Sequence, residues 1–256
     1  MIKIIAIVQA RMASTRLPGK VMTKISGKNM LWHVVKRVQY AKKIDDIVVA
    51  TTSLKEDEKI LKLTSEMGVK SYAGSEDDVL DRCYKAAKKY HADIIVRITG
   101  DCPVMDPHIV DKVVQYFLEN RYDYVSNTIK PTYPDGLDVE VFSYNALEKA
   151  WKEAKLLSER EHVTPYFKKH PEKFRVGNVE NDVDLSHLRW TVDENKDLEF
   201  IKEIFQRLYN KKSIFFMEDI LQLLEEYPEL KEINAEFKRN EGYLRSLKKD
   251  KIMQIT

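Results

Sequence analysis

The run Ile4-Ile5-Ala6-Ile7-Val8, with Ala10-Arg11-Met12-Ala13-Ser14-Thr15-Arg16-Leu17-Pro18-Gly19-Lys20 close behind it, constrains this chain more than any other stretch. A continuous apolar run rich in β-branched residues reads as a strand buried on both faces, the habit of parallel sheets. The residues that follow carry Arg11, Arg16 and Lys20, two hydroxyls and a Pro-Gly break, with neither helical nor strand periodicity. A loop at the carboxyl end of a first central strand is where open α/β sheets bind ligands. Arg and Lys side chains there, with loop amides, can gather the charge of a triphosphate.

Two commoner phosphate loops are excluded. A P-loop needs Gly, four residues, then Gly-Lys-Ser/Thr. Here Val21 follows Gly19-Lys20, and Ser14 stands where the first Gly belongs. A dinucleotide fingerprint needs clustered glycines, and only Gly19 is present.

The first half alternates strand and helix. A helix is expected near 29–42, a strand at 46–51, a helix from Glu56 to Met67 ending at Gly68, and a short strand at 69–73. Ser75, with Asp78 three residues on, reads as a capping box opening a helix to about Tyr90. A strand at 94–98, a helix capped by Asp106-Pro107 and a strand at 122–127 follow. This βαβα order predicts an α/β fold of three αβα layers around a mostly parallel, Rossmann-like sheet. The second half reads as an antiparallel strand at 137–143, helices at 144–155 and 158–169, short strands near 174–179 and 188–192, and a helix at 195–208. Ser158 with Glu161 is a second expected capping box. Residues 217–247 read as helical and Lys-rich. The expected division is a main α/β domain at 1–210 and a helical C-terminal extension at 211–256, an appendage or an arm toward a second copy in a homodimer.

Of 256 residues, 43 are Lys or Arg and 41 Asp or Glu, a net charge of +2. That balance argues against a general nucleic-acid or membrane surface, so any anion site must be local. Cys83 and Cys102 are expected to be free thiols in a reducing compartment. The chain enters a strand without a signal-peptide pattern, and no apolar stretch nears the roughly 20 residues of a membrane helix. The expectation is a cytoplasmic protein.

The segment from Ala10 to Lys20 resembles the signature loop of the cytidylyltransferases that activate acidic sugars: the CMP-Kdo synthetases, the CMP-sialic acid synthetases and their SpsF-type relatives. The resemblance covers about the first 210 residues. It implies the sheet of the nucleotide-diphospho-sugar transferases and transfer of CMP from CTP to an acidic sugar in surface polysaccharide synthesis, with release of pyrophosphate. Ala10, Arg11, Ser14, Arg16 and Lys20 would bind the nucleotide, with Arg11 and Lys20 also catalytic. Gly100-Asp101-Cys102-Pro103 resembles the motif carrying the first metal carboxylate, Asp101, which would hold Mg2+ and is counted catalytic. Read alone, Asp101 is equally a plain turn residue. Val192-Asp193 with Asp197-Leu198-Glu199 resembles the late motif, making Asp193 the second metal ligand. From the residues alone Asp193 is also a helix N-cap, and Asp197 a first-turn acid favoured by the helix dipole.

Val49–Ser53 resembles the strand end that lines the nucleoside pocket, which nominates Thr52. Gly74–Arg82 resembles the segment over the cytosine, which nominates Ser75 and Arg82. Capping explains much of Ser75, and a surface salt bridge is the alternative reading of Arg82. Residues 134–140 and 158–165 follow the SpsF pattern, and they nominate Asp135, Glu140, Arg160 and His162 for acceptor binding. The remaining histidines show no metal-ligand spacing, and Cys102 has no partner for nucleophilic catalysis. No organic cofactor is implied. Three other readings stay open: a transferase using another nucleotide and a sugar 1-phosphate, a related glycosyltransferase, and a non-catalytic nucleotide-binding protein.

Overall fold

A computed structural model describes residues 2–253. In chain order the elements are β1 (Ile4–Gln9), a short hairpin of β2 (Lys24–Ile25) and β3 (Lys28–Asn29), α1 (Met30–Val38), β4 (Asp46–Thr52), α2 (Glu58–Glu66), β5 (Lys70–Gly74), α3 (Val79–Lys89), β6 (Ile94–Thr99) and α4 (Pro107–Asn120). Then come β7 (Tyr124–Ser126), β8 (Glu140–Ser143), α5 (Tyr144–Glu153), α6 (Leu157–His162), α7 (Pro165–Lys169), β9 (Val176–Asn178), α8 (Asn195–Leu208), α9 (Met217–Glu226) and α10 (Glu241–Lys248). The main sheet runs β5-β4-β1-β6-β8-β7-β9. β1 lies parallel between β4 and β6, while β8 is antiparallel to both of its neighbours.

The apolar run of β1 is buried on both faces, as its composition requires. Ala6 and Val8 face a core shared with α1, α4, α8 and α9, whereas Ile5 and Ile7 face one shared with α3 and α5. Strand alternation thus divides one sequence between two cores, and the sheet becomes the middle of three layers. The mostly parallel αβα architecture is the one expected. No helix among the described residues is long and apolar enough to cross a membrane.

Several local expectations are corrected. Asp78, not Ser75, is the N-cap of α3: its side chain accepts from Asp81 N at 2.8 Å, while the Ser75 hydroxyl accepts from Asp78 N one turn earlier. The segment 158–169 is two helices, because Val163 takes a left-handed φ of 70° and Pro165 starts a new turn. Its box is closed by Glu159, which accepts from Leu156 N at 3.2 Å, while Ser158 bonds Asp250 instead. Residues 188–192 form a single parallel bridge, Arg189 to Asp135, and no ladder. The tail is not one helix. Pro228 opens a separate 3-10 turn, and Asn240 adopts the left-handed conformation before α10. The tail also folds back on the body, with Ile220, Leu223 and Leu224 of α9 in the core that holds α4 and α8.

Candidate active site

The carboxyl ends of β1 and β6 lie side by side, Gln9 opposite Thr99, and each runs into a loop. The 10–19 loop is shaped from within. Ser14 N and Gly19 N both donate to Met12 O, at 2.9 and 2.8 Å. It is pinned from outside by Asp57, which accepts from Met12 N at 2.7 Å and also from Thr51 and Thr52. Gly100 lets the loop after β6 come close, since a Cβ there would stand 2.9 Å from Gln9 O. Asp101 follows at once. Its carbonyl accepts from Val192 N at 2.9 Å, which brings the late segment 188–193 into the same place. Gly136 permits that approach too, with φ of 110° and room for no side chain against Thr191 N.

The result is one ammonium between two carboxylates. Lys20 Nζ lies 2.7 Å from Asp101 Oδ2, 2.7 Å from Asp193 Oδ1 and 2.8 Å from Val192 O. Burial opposes charge on Lys20, and the two carboxylates outweigh it, so its pKa is raised above the ordinary lysine value. Burial would likewise raise Asp101, but Lys20 holds it down to about 2. Lys20 and Asp101 are therefore both charged at neutral pH. Asp193 is no N-cap. Glu194 holds that position, and Asp197 accepts from Asp193 N and Glu194 N at 2.9 Å each. The Asp193 carboxylate is left to Lys20, to Arg16 at 2.8 Å and to Arg189 at 3.1 Å.

Two cavities meet at this point. The first, of about 500 Å³, is walled by the 10–16 loop, Lys20 and Arg82 and reaches His162 and α10. The second, of about 610 Å³, is walled by Arg97, Asp135, Asp138, Glu140, Thr164 and Lys168. Gln9, Arg16, Thr99, Asp101, His162 and Asp193 border both.

Most residues nominated from the sequence converge here. Ala10, Arg11, Ser14, Arg16, Lys20 and Arg82 line the first cavity. Arg82 is 2% exposed, donates to Ser75 O at 2.7 Å and leaves its Nε without a partner. Burial, with Arg11 nearby, lowers its pKa to about 10. It is thus no surface salt bridge. Asp135 and Glu140 line the second cavity, and His162 borders both. Glu140 accepts from Tyr124 at 2.7 Å and pairs with Arg97; burial would raise its carboxyl, and Arg97 with Lys168 brings it down to about 2.

Three nominations fall elsewhere. Thr52 is 1% exposed, lines neither cavity and gives its hydroxyl to Asp57. Ser75 lines neither cavity, and its hydroxyl and carbonyl organise Asp78 and Arg82. Arg160 is fully buried, pairs with Asp78 and donates to Trp151 O at 2.7 Å. A buried guanidinium tying α6 to the start of α3 has no reach to an acceptor.

Two other site residues were not nominated from the sequence. Arg189 binds Asp135, Asp193 and Asp197 at 3.0, 3.1 and 2.9 Å. Burial works against that guanidinium, and Asp197 and its neighbours raise its pKa overall. It fixes the direction of Asp193 from behind. Arg97 is the one charge inside β6, and that oddity in an otherwise apolar strand was a usable sign. Cys83 and Cys102 are buried thiols, with Cys83 pushed up to about 12 by burial.

A family model described as cytidylyltransferase matches residues 5–251, nearly the whole chain. The chain belongs to the cytidylyltransferase family. The match runs through α10, so the tail is part of the family's pattern. Protein MJ1063 of Methanocaldococcus jannaschii is 44% identical over 237 residues, 91% of this chain and 95% of its own. The spore coat polysaccharide biosynthesis protein SpsF of Bacillus subtilis is 33% identical over 235 residues, 88% of this chain and 95% of its own. A solved cytidylyltransferase from Leptospira borgpetersenii superposes with a TM-score of 0.87 at 34% identity, covering 93% of this chain and all of that one.

The Asp101 and Asp193 pair suits a hard cation. No cluster of three or more His, Cys, Asp or Glu side chains is arranged for a metal among the described residues. Magnesium, however, is commonly held by one or two carboxylates with substrate phosphates and water completing the shell. Asp138 and Glu140 are committed to Arg239 and Arg97.

Proposed function

We propose that this cleft transfers CMP from CTP to an acidic sugar and releases pyrophosphate. The observation that carries the reading is the Lys20, Asp101 and Asp193 group at the border of two cavities. A nucleotidyl transfer needs its reacting phosphorus where donor and acceptor pockets touch.

The first cavity takes the nucleotide. Arg11, Arg16 and Lys20 lie along one wall, placed to neutralise the triphosphate and then the departing pyrophosphate. Arg82 lines the same cavity, and its guanidinium suits an acceptor atom of the base or ribose. The second cavity takes the sugar. Lys168, near Thr128 at 3.3 Å and Glu140 at 3.7 Å, is an accessible cation there and suits a carboxylate. Its paired carboxylates, Asp135 and Glu140, suit sugar hydroxyls.

The acceptor oxygen forms a bond to the α-phosphorus as the bond to the β-phosphate oxygen breaks. The electron pair leaves with pyrophosphate, and the acceptor proton passes to water. Little covalent chemistry falls to the protein, so positioning and charge dominate. Magnesium at Asp101 and Asp193 would polarise the α-phosphate and acidify the acceptor hydroxyl. Lys20 meanwhile keeps the two carboxylates together in the free protein. It thereby offsets a repulsion that would otherwise spread them.

Pyrophosphate release, followed with each of the four ribonucleoside triphosphates and a panel of acidic sugars, tests the reading. CTP with an acid gives release; equal release with ATP, or none with any acid, contradicts it. The spore coat role of SpsF supports a place in surface polysaccharide synthesis.

A further inference from the structure

The C-terminal segment supplies part of the wall of the nucleotide cavity. Gly242, Arg245, Ser246 and Lys249 line it together with residues of the 10–16 loop. The placement is fixed by contacts to α6. Leu157 N donates to Lys251 O at 2.9 Å, and Met253 N donates to Lys155 O at 2.8 Å. Asp250 accepts from Ser158 N and from its hydroxyl, at 2.9 and 2.8 Å. Ser246 donates to Glu161 at 2.7 Å and lies 2.9 Å from His162 Nε2. From the other side Arg16 reaches Glu241 at 3.9 Å. The segment is thus buckled down at both ends of α10.

The charges on the cavity wall give this placement a purpose. The cations are Arg11, Arg16, Lys20, Arg82, Arg245 and Lys249; the carboxylates are Asp101, Glu161 and Asp193. Lys20 and Arg16 are already engaged by Asp193, and Lys20 by Asp101 as well. Without the C-terminal pair the wall is close to neutral, a poor match for a triphosphate. With it the wall is clearly positive. Lys249 forms no ion pair among the described residues, and Arg245 meets only Glu241, at 3.3 Å.

We propose that Arg245 and Lys249 bind the phosphates of the nucleotide, so that the docked C-terminal segment completes the CTP site. The proposal rests on the reading of the first cavity as the nucleotide pocket. Anion binding by opposed basic side chains strengthens with each phosphate engaged. The C-terminal pair therefore discriminates by phosphate count rather than by base.

The experiment is calorimetric titration of the full chain with CTP, CMP and cytidine. The proteins are wild type, Arg245→Gln/Lys249→Gln and, as a control for net charge, Lys248→Gln, whose side chain is exposed and outside the cavity. The double variant should bind CTP roughly tenfold or more weakly, as expected for lost charge-assisted hydrogen bonds. It should lose less for CMP and nothing for cytidine, while Lys248→Gln matches wild type. Equal CTP binding by wild type and double variant overturns the proposal and leaves the nucleotide pocket standing. So does an equal loss in Lys248→Gln, which would show a diffuse field and no contact. Failure of wild type to bind CTP overturns the pocket and the proposal together. If the double variant does not fold, the single variants, each judged by its own melt, carry the same comparison.

Discussion

Asp101 and Asp193 stand 92 positions apart in the chain, yet each holds a carboxylate oxygen 2.7 Å from the same Lys20 Nζ. Both sit where an apolar segment ends, one after β6 and one before α8. The hydrogen bond from Val192 N to Asp101 O joins the two segments directly. The free protein thus holds a cation of its own between the residues nominated for magnesium.

Lys20→Met should damage both fold and reaction. Loss of one partner from a largely buried ion group costs about 3 kcal/mol of stability, read by urea unfolding at pH 7. Turnover should fall by about 3 kcal/mol in barrier height, as for one transition-state donor, with a smaller effect on CTP binding. Near-normal turnover would remove Lys20 from the chemistry.

The pH dependence follows from Asp101. Its carboxyl sits at about 2 in the fold against an ordinary 3.8. A lowered carboxylate pKa adds stability above the unfolded value, and that stability is lost as pH falls through the folded value. Wild type should therefore lose this contribution between about pH 4 and pH 2. In Lys20→Met the main depressing charge on Asp101 is gone and burial opposes its ionisation, so the loss of stability between about pH 4 and pH 2 should shrink. Thermal melts across pH 2–6 read both curves, and identical curves would contradict the ion group.

Asp101→Asn and Asp193→Asn should each abolish transfer and leave the fold intact by circular dichroism, since Asn keeps the shape and loses the charge. The double variant should be hardly worse than either single one, because losing one carboxylate already disables a shared site. Additive losses would separate the two roles.

Arg160→Met should lose about 3 kcal/mol of stability by urea unfolding, because the Asp78 carboxylate is left beside an apolar side chain. Its KM for the acceptor, measured on folded protein, should stay within about twofold of wild type. A large rise in that KM with unchanged stability would restore Arg160 to acceptor binding.

Lys168→Ala tests the second cavity. The side chain is exposed and its removal leaves no buried charge unpaired, since Glu140 keeps Arg97, Tyr124 and Thr164. The acceptor KM should rise roughly tenfold, as for one charged hydrogen bond, with the CTP KM unchanged. The opposite pattern would exchange the two cavities.

Local order was legible in the sequence where it is set by short-range physics. The apolar run of β1, the basic loop, the Asp106-Pro107 cap and α8 at 195–208 follow from periodicity and capping alone. Residues 188–192 misled because their apolar alternation is that of a strand. In the fold their backbone groups are used by Asp135, Leu185 and Asp101, one bridge at a time. Thr52 and Arg160 misled for a related reason: a hydroxyl at a strand end and an arginine beside a cap suit a ligand and a buried neighbour equally well. Only tertiary placement shows that Asp57 and Asp78 claim them. The placement of the tail was illegible because it depends on docking to α6, a contact without periodicity.

The most direct test of the account follows the α-phosphate. CTP carrying label on that phosphate is incubated with the protein, magnesium and an accepted acidic sugar, and the products are separated. The account predicts label in a sugar conjugate, unlabelled pyrophosphate in equal amount, and neither product from Asp193→Asn. Label that stays with free CMP, or a conjugate that takes the γ-phosphate instead, would contradict it.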